Sequence, residues 1–458
     1  MQKCIFVIGL VLFSALPAAQ VKAKNGISLP LVAFSQSSYD AKIAEAVNAS
    51  DWFALDSIYK ETPKDSISEF LDVYSRCMLG HRFNRTDVSI PAFAELLNAQ
   101  SANLDVQQLV SAAIMYGMDL NRVGANGEAA QMLTAVMDAA KPHAKASSLR
   151  SVGQFATLYS ALSRYQTYQI AFADSTTGVI PFSIERIAPG EKKTDLIRLR
   201  GSVINGIGAD IVFDTGAGTN LITDSLAARY GLIPLDAPLD IAGFGMRTGH
   251  YALAKELKIG NITVSNVPFM VVSMLSDDAE ADQYLRHLGV IVGAELMLQL
   301  KDLTFDFLKH EITVPAVAPL RSGEKPNMCF SSGMVLLAKA VVNNTPLNVF
   351  VDTGNPHYAD LANAFFETNK AYVRRHGKKE TIRRAGIGGK SVAKYYRVPD
   401  MRLTLGGTSV VVPAMDVKAS RRKSAWMGGY NNLGLSSLML FSKVRFNMTD
   451  FVLTTESR

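Results

Sequence analysis

The sequence predicts an α+β protein in which an all-α region is followed by an all-β region. From about residue 38 to 172, apolar residues recur every three or four positions, which is the periodicity of amphipathic helices. After Asp174-Ser-Thr-Thr-Gly178 the chain changes to short runs of Val, Ile, Phe and Leu punctuated by Gly and Asn, as in strands. The tripeptide Asp-Thr-Gly occurs twice in the second region, at 214–216 and 352–354, which predicts a duplicated unit.

Length and composition fit a folded protein of several domains. The chain has 458 residues, of which 48% are hydrophobic and 19% are charged, and it has no long low-complexity run. The formal net charge is +6, and basic residues are concentrated in the segment 370–397. A solvated face is the favoured interpretation of this segment, with contact to an anionic envelope surface or an acidic substrate as the alternative. No motif supports nucleic-acid binding.

The first residues have the features of an export signal. Lys3 precedes a short apolar run, residues 4–16, and Val21-Lys22-Ala23 offers small residues for cleavage. The run is too short to span a bilayer comfortably. We therefore expect residues 1–23 to be a signal peptide and the mature chain to be exported. The expected destination is the periplasm of a Gram-negative bacterium. Secretion and an uncleaved signal anchor remain alternatives.

Cysteine usage leaves the redox state of the mature chain open. Cys4 would leave with the signal, and Cys77 and Cys329 would remain. These two could form a disulfide in an oxidising compartment, or both could be buried thiols. Neither has a metal-ligand spacing, and we expect no metal and no cofactor.

Residues 24–175 are predicted to form a helical domain of five or six helices. The short polar breaks between them favour either a bundle or an array of helical hairpins. The pattern Ser66-Ile-Ser-Glu69 indicates a capping box before one helix. Five apolar residues there are predicted to share one face: Ile67, Phe70, Leu71, Tyr74 and Met78.

The two Asp-Thr-Gly copies lie in matching surroundings. Residues 203–214 align with residues 341–352 without a gap, and each stretch is a hydrophobic strand that ends in Asp. Farther on, each half has a strand that ends in Gly, at Gly293 and Gly434, followed by two closing strands. We expect a first lobe, a linker and a second lobe, over residues 176–318, 319–326 and 327–458.

This duplicated pattern resembles the aspartic peptidases of the pepsin/retropepsin clan. Each half is similar to one retropepsin-type lobe of the compact bacterial kind, and together the halves cover a little over half of the chain. The resemblance implies an all-β bilobal aspartic-peptidase domain and an exported aspartic endopeptidase that hydrolyses protein or peptide substrates. It also implies a monomer, since both lobes lie in one chain.

The resemblance also implies roles for particular residues. Asp214 and Asp352 match the catalytic dyad, in which two carboxyl groups share one proton and activate a water. Four residues match the supports of the active-site loops: Thr215, Gly216, Thr353 and Gly354. Two Gly-rich hairpins match flaps over the substrate cleft, with tips at Gly243, Phe244 and Gly245 and at Gly386, Ile387 and Gly388. Tyr251 is a weak candidate for a flap tyrosine.

The second half departs from the family pattern at two positions. Asn355 stands where a small residue is usual, and we expect its amide to donate to Asp352 and lower the pKa of that carboxyl. Asn432 stands where a hydrophobic residue is usual, so looser packing is expected beneath Asp352. These departures motivate the main alternative, a non-cleaving peptide-binding protein.

The helical region lies outside the resemblance, and its role is open. It could dock a protein partner, present substrate or inhibit the enzyme. A further alternative for the whole chain is a helical interaction adaptor in which the peptidase domain is ancillary.

Overall fold

The structure is a computed structural model that describes residues 13–14, 37–173, 176–186, 195–242, 246–275, 279, 282, 285, 287–331, 334–386, 389–419 and 430–458. Within the predicted signal segment, it describes one short strand, β1 (Phe13–Ser14), which pairs with residues 241–242. No helix among the described residues combines the length and the apolar composition needed to cross a membrane.

The N-terminal region is α-helical, as the periodicity predicts. Between residues 37 and 173, all of them described, it contains seven α-helices rather than five or six. Breaks between helices are short: Ser50, with a φ of 55°, ends one helix, and the Asp51 carboxylate caps the next. Because such breaks barely interrupt the apolar periodicity, the sequence predicted fewer helices than the structure contains. The helices are α1 (Ser38–Ala49), α2 (Trp52–Glu61), α3 (Glu69–Arg82), α4 (Thr86–Ala99), α5 (Val106–Arg122), α6 (Asn126–Ala140) and α7 (Ala146–Leu162).

Each helix packs mainly on its neighbours in sequence, so the region is an array of antiparallel hairpins. The apolar face predicted around α3 is buried at all five positions. The predicted capping box is wrong, because Ser66 ends a 3-10 turn and Ser68 is the N-cap residue of α3. The Ser68 backbone N–H donates instead to the Asp40 carboxylate of α1 (3.0 Å), so a tertiary contact satisfies this helix end.

The first half of the β region begins earlier than residue 176. Its first strand, within the segment predicted to be helical, is β2 (Gln169–Phe172), which pairs with residues 262–265. The further strands of this half are β3 (Thr177–Arg186), β4 (Asp195–Leu199), β5 (Val203–Ile204), β6 (Ile207–Gly208), β7 (Ile211–Phe213), β8 (Leu221–Ile222), β9 (Ile233–Ala242), β10 (Met246–Ile259), β11 (Ile262–Val271), β12 (Val290–Val292), β13 (Asp302–Asp306) and β14 (Glu311–Pro315). Helices α8 (Asp224–Arg229) and α9 (Ala294–Leu300) accompany them.

The second half continues to the C-terminal residues. Its strands are β15 (Met328–Phe330), β16 (Leu336–Val342), β17 (Thr345–Asp352), β18 (Ala359–Leu361), β19 (Lys378–Gly386), β20 (Gly389–Leu405), β21 (Thr408–Lys418), β22 (Asn431–Gly434), β23 (Lys443–Asn447) and β24 (Val452–Glu456). Its helices are α10 (Asn363–Thr368), α11 (Lys370–His376) and α12 (Leu435–Leu438).

Strand connectivity is repeated in the two halves. In the first half, β12 is parallel to β7 and antiparallel to β8, and β8 is parallel to β11. In the second half, β22 is parallel to β17 and antiparallel to β18, and β18 is parallel to β21. Each Asp-Thr-Gly therefore belongs to the end of an equivalent central strand, β7 or β17.

The closing strands join the two halves into one sheet. β13 pairs with β23 in antiparallel fashion, so the strand order continues β3-β14-β13-β23-β24. Phe305 and Phe446 pack edge to face across this junction, with ring centroids 5.5 Å apart. Asp306 and Asn447 end the two equivalent strands, and the side chain of each accepts two backbone N–H groups of the following turn. The same local cap thus closes both halves.

The helical region is fixed to the second half by a buried arginine. Arg82 of α3 is 3% exposed, and its Nη1 donates to the backbone oxygen of Ser331 (2.6 Å). Its guanidinium also lies over the ring of Trp52, 5.0 Å from the ring centroid. Nearby, Cys77 and Cys329 are both buried and free, so the buried-thiol alternative is the one observed.

We predict that Arg82→Ala lowers the free energy of unfolding by about 3 kcal/mol, because it leaves a buried carbonyl without its donor and opens a cavity. Urea unfolding followed by tryptophan fluorescence measures the change, since Trp52 lies beside the substituted side chain. Arg150→Ala, at an exposed position of α7, is the control. A loss below about 1 kcal/mol for Arg82→Ala would contradict this role.

Candidate active site

The two Asp-Thr-Gly loops are cross-linked to each other through their threonines. The Thr215 backbone N–H donates to Thr353 Oγ1 (2.9 Å), and the Thr353 backbone N–H donates to Thr215 Oγ1 (3.0 Å). Each hydroxyl donates in turn to a strand of the other half, Thr215 to the oxygen of Val351 (2.9 Å) and Thr353 to that of Phe213 (3.0 Å). Every group in this reciprocal set is buried, so the loops are held face to face.

The cross-link brings the two predicted catalytic aspartates together. Asp214 and Asp352 are 1% and 0% exposed. Backbone N–H groups from both loops, those of Gly216 (2.8 Å) and Gly354 (3.0 Å), donate to Asp214 Oδ1. The two carboxyl groups also face each other, since Oδ1 of Asp352 lies against Gly216 and the Asp214 carboxyl group lies against Gly354. Two carboxylates brought together in this way repel each other, which favours a proton on one of the pair.

Burial raises the pKa of both carboxyl groups, because desolvation penalises their charged forms. It raises the pKa of Asp214 to about 7, against the opposing effect of the Gly216 and Gly354 N–H groups. The pKa of Asp352 lies well above its usual value, since the negative charge of Asp214 adds to the effect of burial. The pair titrates as a unit, so its protons belong to the pair rather than to either residue.

The glycines of the two loops are required by close approach. A Cβ atom on Gly216 would collide with Oδ1 of Asp352, and one on Gly354 would collide with Oδ2 of Asp214. Each glycine therefore makes room for the carboxyl group of the opposite loop. This crossed contact requires glycine at both positions, in addition to the tight turn that each loop makes.

The side chains around Asp352 are arranged differently from the sequence-based prediction. The Asn355 amide does not donate to the Asp352 carboxyl group; its Nδ2 donates to Oδ1 of Asn432 (2.7 Å). Asn432 Nδ2 then donates to Oδ2 of Asp352 (2.7 Å). The expected fall in the pKa of Asp352 is wrong, because burial and Asp214 outweigh the amide. The expected loose packing is also wrong, since Asn432 is fully buried and its side chain is held at both ends.

A polar network beside the first loop was missed at the sequence level. The Thr219 hydroxyl donates to the Glu295 carboxylate (2.5 Å) and lies 3.4 Å from the Tyr251 hydroxyl. Asn220 Nδ2 donates to the Tyr168 hydroxyl (2.9 Å), which links the loop to the segment that follows α7. Burial raises the pKa of Glu295. No motif marks Tyr168 or Glu295, and only their tertiary neighbours identify them.

The helical region closes one side of this network. A cavity of about 110 Å³ separates α5 and α7 from the loop that follows Asp214. Its lining combines the two regions and includes Arg122, Phe155, Tyr159, Thr219, Tyr251 and Glu295. Whether the helical region docks a partner, presents substrate or inhibits stays a prediction.

The flap predictions fall mostly outside the described residues. Gly243, Phe244, Gly245, Ile387 and Gly388 are not among the described residues, whereas the backbone of Gly386 is. The flanking strands are paired up to these positions, with Ala242 opposite Met246 and Gly386 opposite Gly389. Among the residues that the structure describes, no group of three His, Cys, Asp or Glu side chains is arranged to hold a metal ion.

Comparisons with known proteins point to the same class. Residues 201–291, which include the first Asp-Thr-Gly, match a family model described as aspartyl protease. Among similar solved structures is a retropepsin-like aspartic protease from Rickettsia conorii, with 15% identity and a TM-score of 0.20, over 33% of this chain and 95% of that chain. No curated protein matches the sequence.

The chain therefore resembles the aspartyl proteases over residues 201–291, as the sequence predicted. The family match lies in the first half, and it supports a protease, hence a hydrolase whose substrates are proteins or peptides.

We predict that Thr215→Val and Thr353→Val each lower the free energy of unfolding by about 3 kcal/mol, since each leaves a buried N–H and a buried carbonyl unpaired. The double variant should lose less than the sum, because either change loosens the loops on which all four bonds depend. Denaturant unfolding, monitored by circular dichroism, measures the free energy of unfolding of the parent, the two single variants and the double variant. Thr368→Val, which removes an exposed hydroxyl of α10, is the control. Strict additivity would show that the two loops are not coupled.

Proposed function

We propose that the protein is an aspartic endopeptidase of two lobes that hydrolyses peptide bonds with a water activated between Asp214 and Asp352. One observation carries the proposal: two fully buried carboxyl groups face each other on equivalent, reciprocally cross-linked loops, each against the glycine of the opposite loop. Placing two acidic groups together in a buried site costs free energy. A structural role gives no reason for that cost, whereas shared-proton catalysis does.

The proposed reaction moves protons through the two carboxyl groups in opposite directions. Ionised Asp214 takes a proton from the water as its oxygen bonds to the peptide carbonyl carbon, while protonated Asp352 donates to the carbonyl oxygen. The tetrahedral diol then returns one of its hydroxyl protons to Asp352. Asp214 protonates the nitrogen as the C–N bond breaks. An acid and an amine leave, and the dyad again holds one proton.

Both halves contribute to the proposed substrate cleft. Each half supplies one aspartate loop and one hairpin, β9–β10 or β19–β20, in the arrangement of two lobes within a single monomeric chain. An extended peptide would add as a strand beneath the hairpins, with its backbone hydrogen-bonded to them. Because both aspartates are buried, we propose that the hairpins open before substrate enters.

We predict that Asp214→Asn and Asp352→Asn each lower kcat/KM by at least about a thousandfold, since each removes one member of the acid–base pair. The purified mature chain is incubated with a peptide library, with and without a statine-type analogue, and product masses locate the cut bonds. Internal cuts support an endopeptidase. Asp224→Asn, which neutralises an exposed aspartate of α8, is the matched control.

Two results would contradict the assignment. Cleavage that survives either substitution would place the chemistry elsewhere in the chain. Tight binding of the analogue without any cleavage by the parent protein would identify a non-cleaving peptide-binding protein.

We also propose that the protein is exported to the periplasm after removal of residues 1–23, on the basis of the apolar run and the small residues before Lys24. Expression in a Gram-negative host should yield a periplasmic chain that begins at Lys24, as determined by N-terminal sequencing. A chain that lacks residues 2–23 should remain in the cytoplasm. Recovery of the full-length chain with an intact N-terminus, in the cytoplasm alone, would refute export.

A further inference from the structure

The second aspartate loop contains a positioning device that the first loop lacks. We infer that Asn432 is a positioning residue of the dyad: its amide fixes Oδ2 of Asp352 as the unprotonated oxygen, so that Oδ1 carries the shared proton. The inference rests on the proposed function, because it concerns the proton that the dyad shares. It assigns that proton to a single oxygen atom, which the Asp-Thr-Gly motif alone leaves undetermined.

A chain of hydrogen bonds runs from His357 through the side-chain amides of Asn355 and Asn432 to Asp352, and we call the two amides the relay. The direction of these hydrogen bonds is fixed at the His357 end. The backbone N–H of His357 can only donate, and it donates to Oδ1 of Asn355 (3.1 Å). The other end of that amide is therefore the donor Nδ2, which makes Oδ1 of Asn432 the acceptor (2.7 Å). Asn432 must then present its Nδ2 to Oδ2 of Asp352 (2.7 Å).

The first half shows that the two asparagines form one unit. Ala217 holds the position of Asn355, the third residue after the aspartate. Ile291 holds the position of Asn432, since it pairs with Val212 of β7 as Asn432 pairs with Phe350 of β17. An isolated buried amide would leave polar groups unpaired, which destabilises the folded state. Both asparagines are fully buried, and each satisfies the other.

The two oxygens of Asp352 have opposite surroundings. Oδ2 accepts from the Asn432 amide, whereas Oδ1 is buried and receives no hydrogen bond from a donor group of the described residues. Oδ1 lies against Gly216 of the other loop. A protonated oxygen needs an acceptor rather than a donor, and an oxygen of Asp214 lies beside the same glycine as Oδ1 of Asp352. The proton therefore fits Oδ1 and not Oδ2.

The relay also affects the pH at which the dyad loses its proton. The groups that face Asp352 are the Asp214 carboxyl group, the Asn432 amide and the Gly354 backbone N–H. The amide donor binds a charged carboxylate more strongly than a neutral carboxyl group, so it lowers the pKa of Asp352 relative to a site without it. The active dyad holds one proton, and loss of that proton sets the alkaline limb of the rate profile. Without the amide, this limb should move to higher pH.

The test replaces the relay with the residues that the first half uses at the same positions. In N355A/N432I no amide of the pair is left unpaired, which favours folding. We expect the alkaline limb of kcat/KM to move upward by about one pH unit, which corresponds to the difference between a charged and a neutral hydrogen bond. The acid limb, which reports mainly on Asp214, should stay in place. Folding is checked by thermal unfolding.

Single variants keep the inference testable if the double variant does not fold. Asn355→Ala retains the Asn432 amide but removes the partner that orients it. We therefore expect the alkaline limb to move to higher pH, by less than in the double variant. An alkaline limb that coincides with that of the parent, in whichever variant folds, would overturn the inference. Asp352→Asn is assayed beside these variants, and it should lose cleavage. Cleavage that survives there refutes the proposed function itself, which is a separate outcome.

Discussion

The structure depends on one electrostatic constraint, the burial of two carboxyl groups that cannot both ionise at low cost. Asp214 and Asp352 are kept together by the reciprocal threonine bonds, whose donors and acceptors are all buried. Because both groups are buried, bulk solvent screens their mutual repulsion little, and a shared proton relieves it. The sheets, the central strands and the glycines all serve to bring these two side chains to one point.

Repetition and difference between the halves have separate physical meanings. The repeated features are those of the scaffold: the parallel strand pairs, the loop cross-link and the turn caps after Asp306 and Asn447. The difference lies in what surrounds each carboxyl group, with two backbone N–H groups at Asp214 and a side-chain amide at Asp352. A symmetric frame thus carries an asymmetric pair, which acid–base chemistry requires because the two groups act in opposite senses.

Local patterns predicted the parts of the protein that depend on local sequence. The change from helical to strand periodicity located the helical region and the β region. The repeated tripeptide identified both aspartates. Interactions between residues far apart in sequence were not accessible in this way. Asn355 lies in the loop after β17 and Asn432 lies on β22, so the sequence did not show that their amides bond to each other. The capping of α3 by Asp40 and the pairing of β2 with β11 likewise depend on tertiary contacts.

The pairing of β13 with β23 has a consequence for how the molecule comes into being. Strands β23 and β24 follow the whole central part of the second half, yet they extend the sheet that contains the core of the first half. That sheet cannot be completed before these two strands have left the ribosome. Contacts so distant in sequence form late in folding. A nascent fragment that ends before β15 would hold an incomplete sheet and only one aspartate loop, so the two aspartates would meet only late in synthesis.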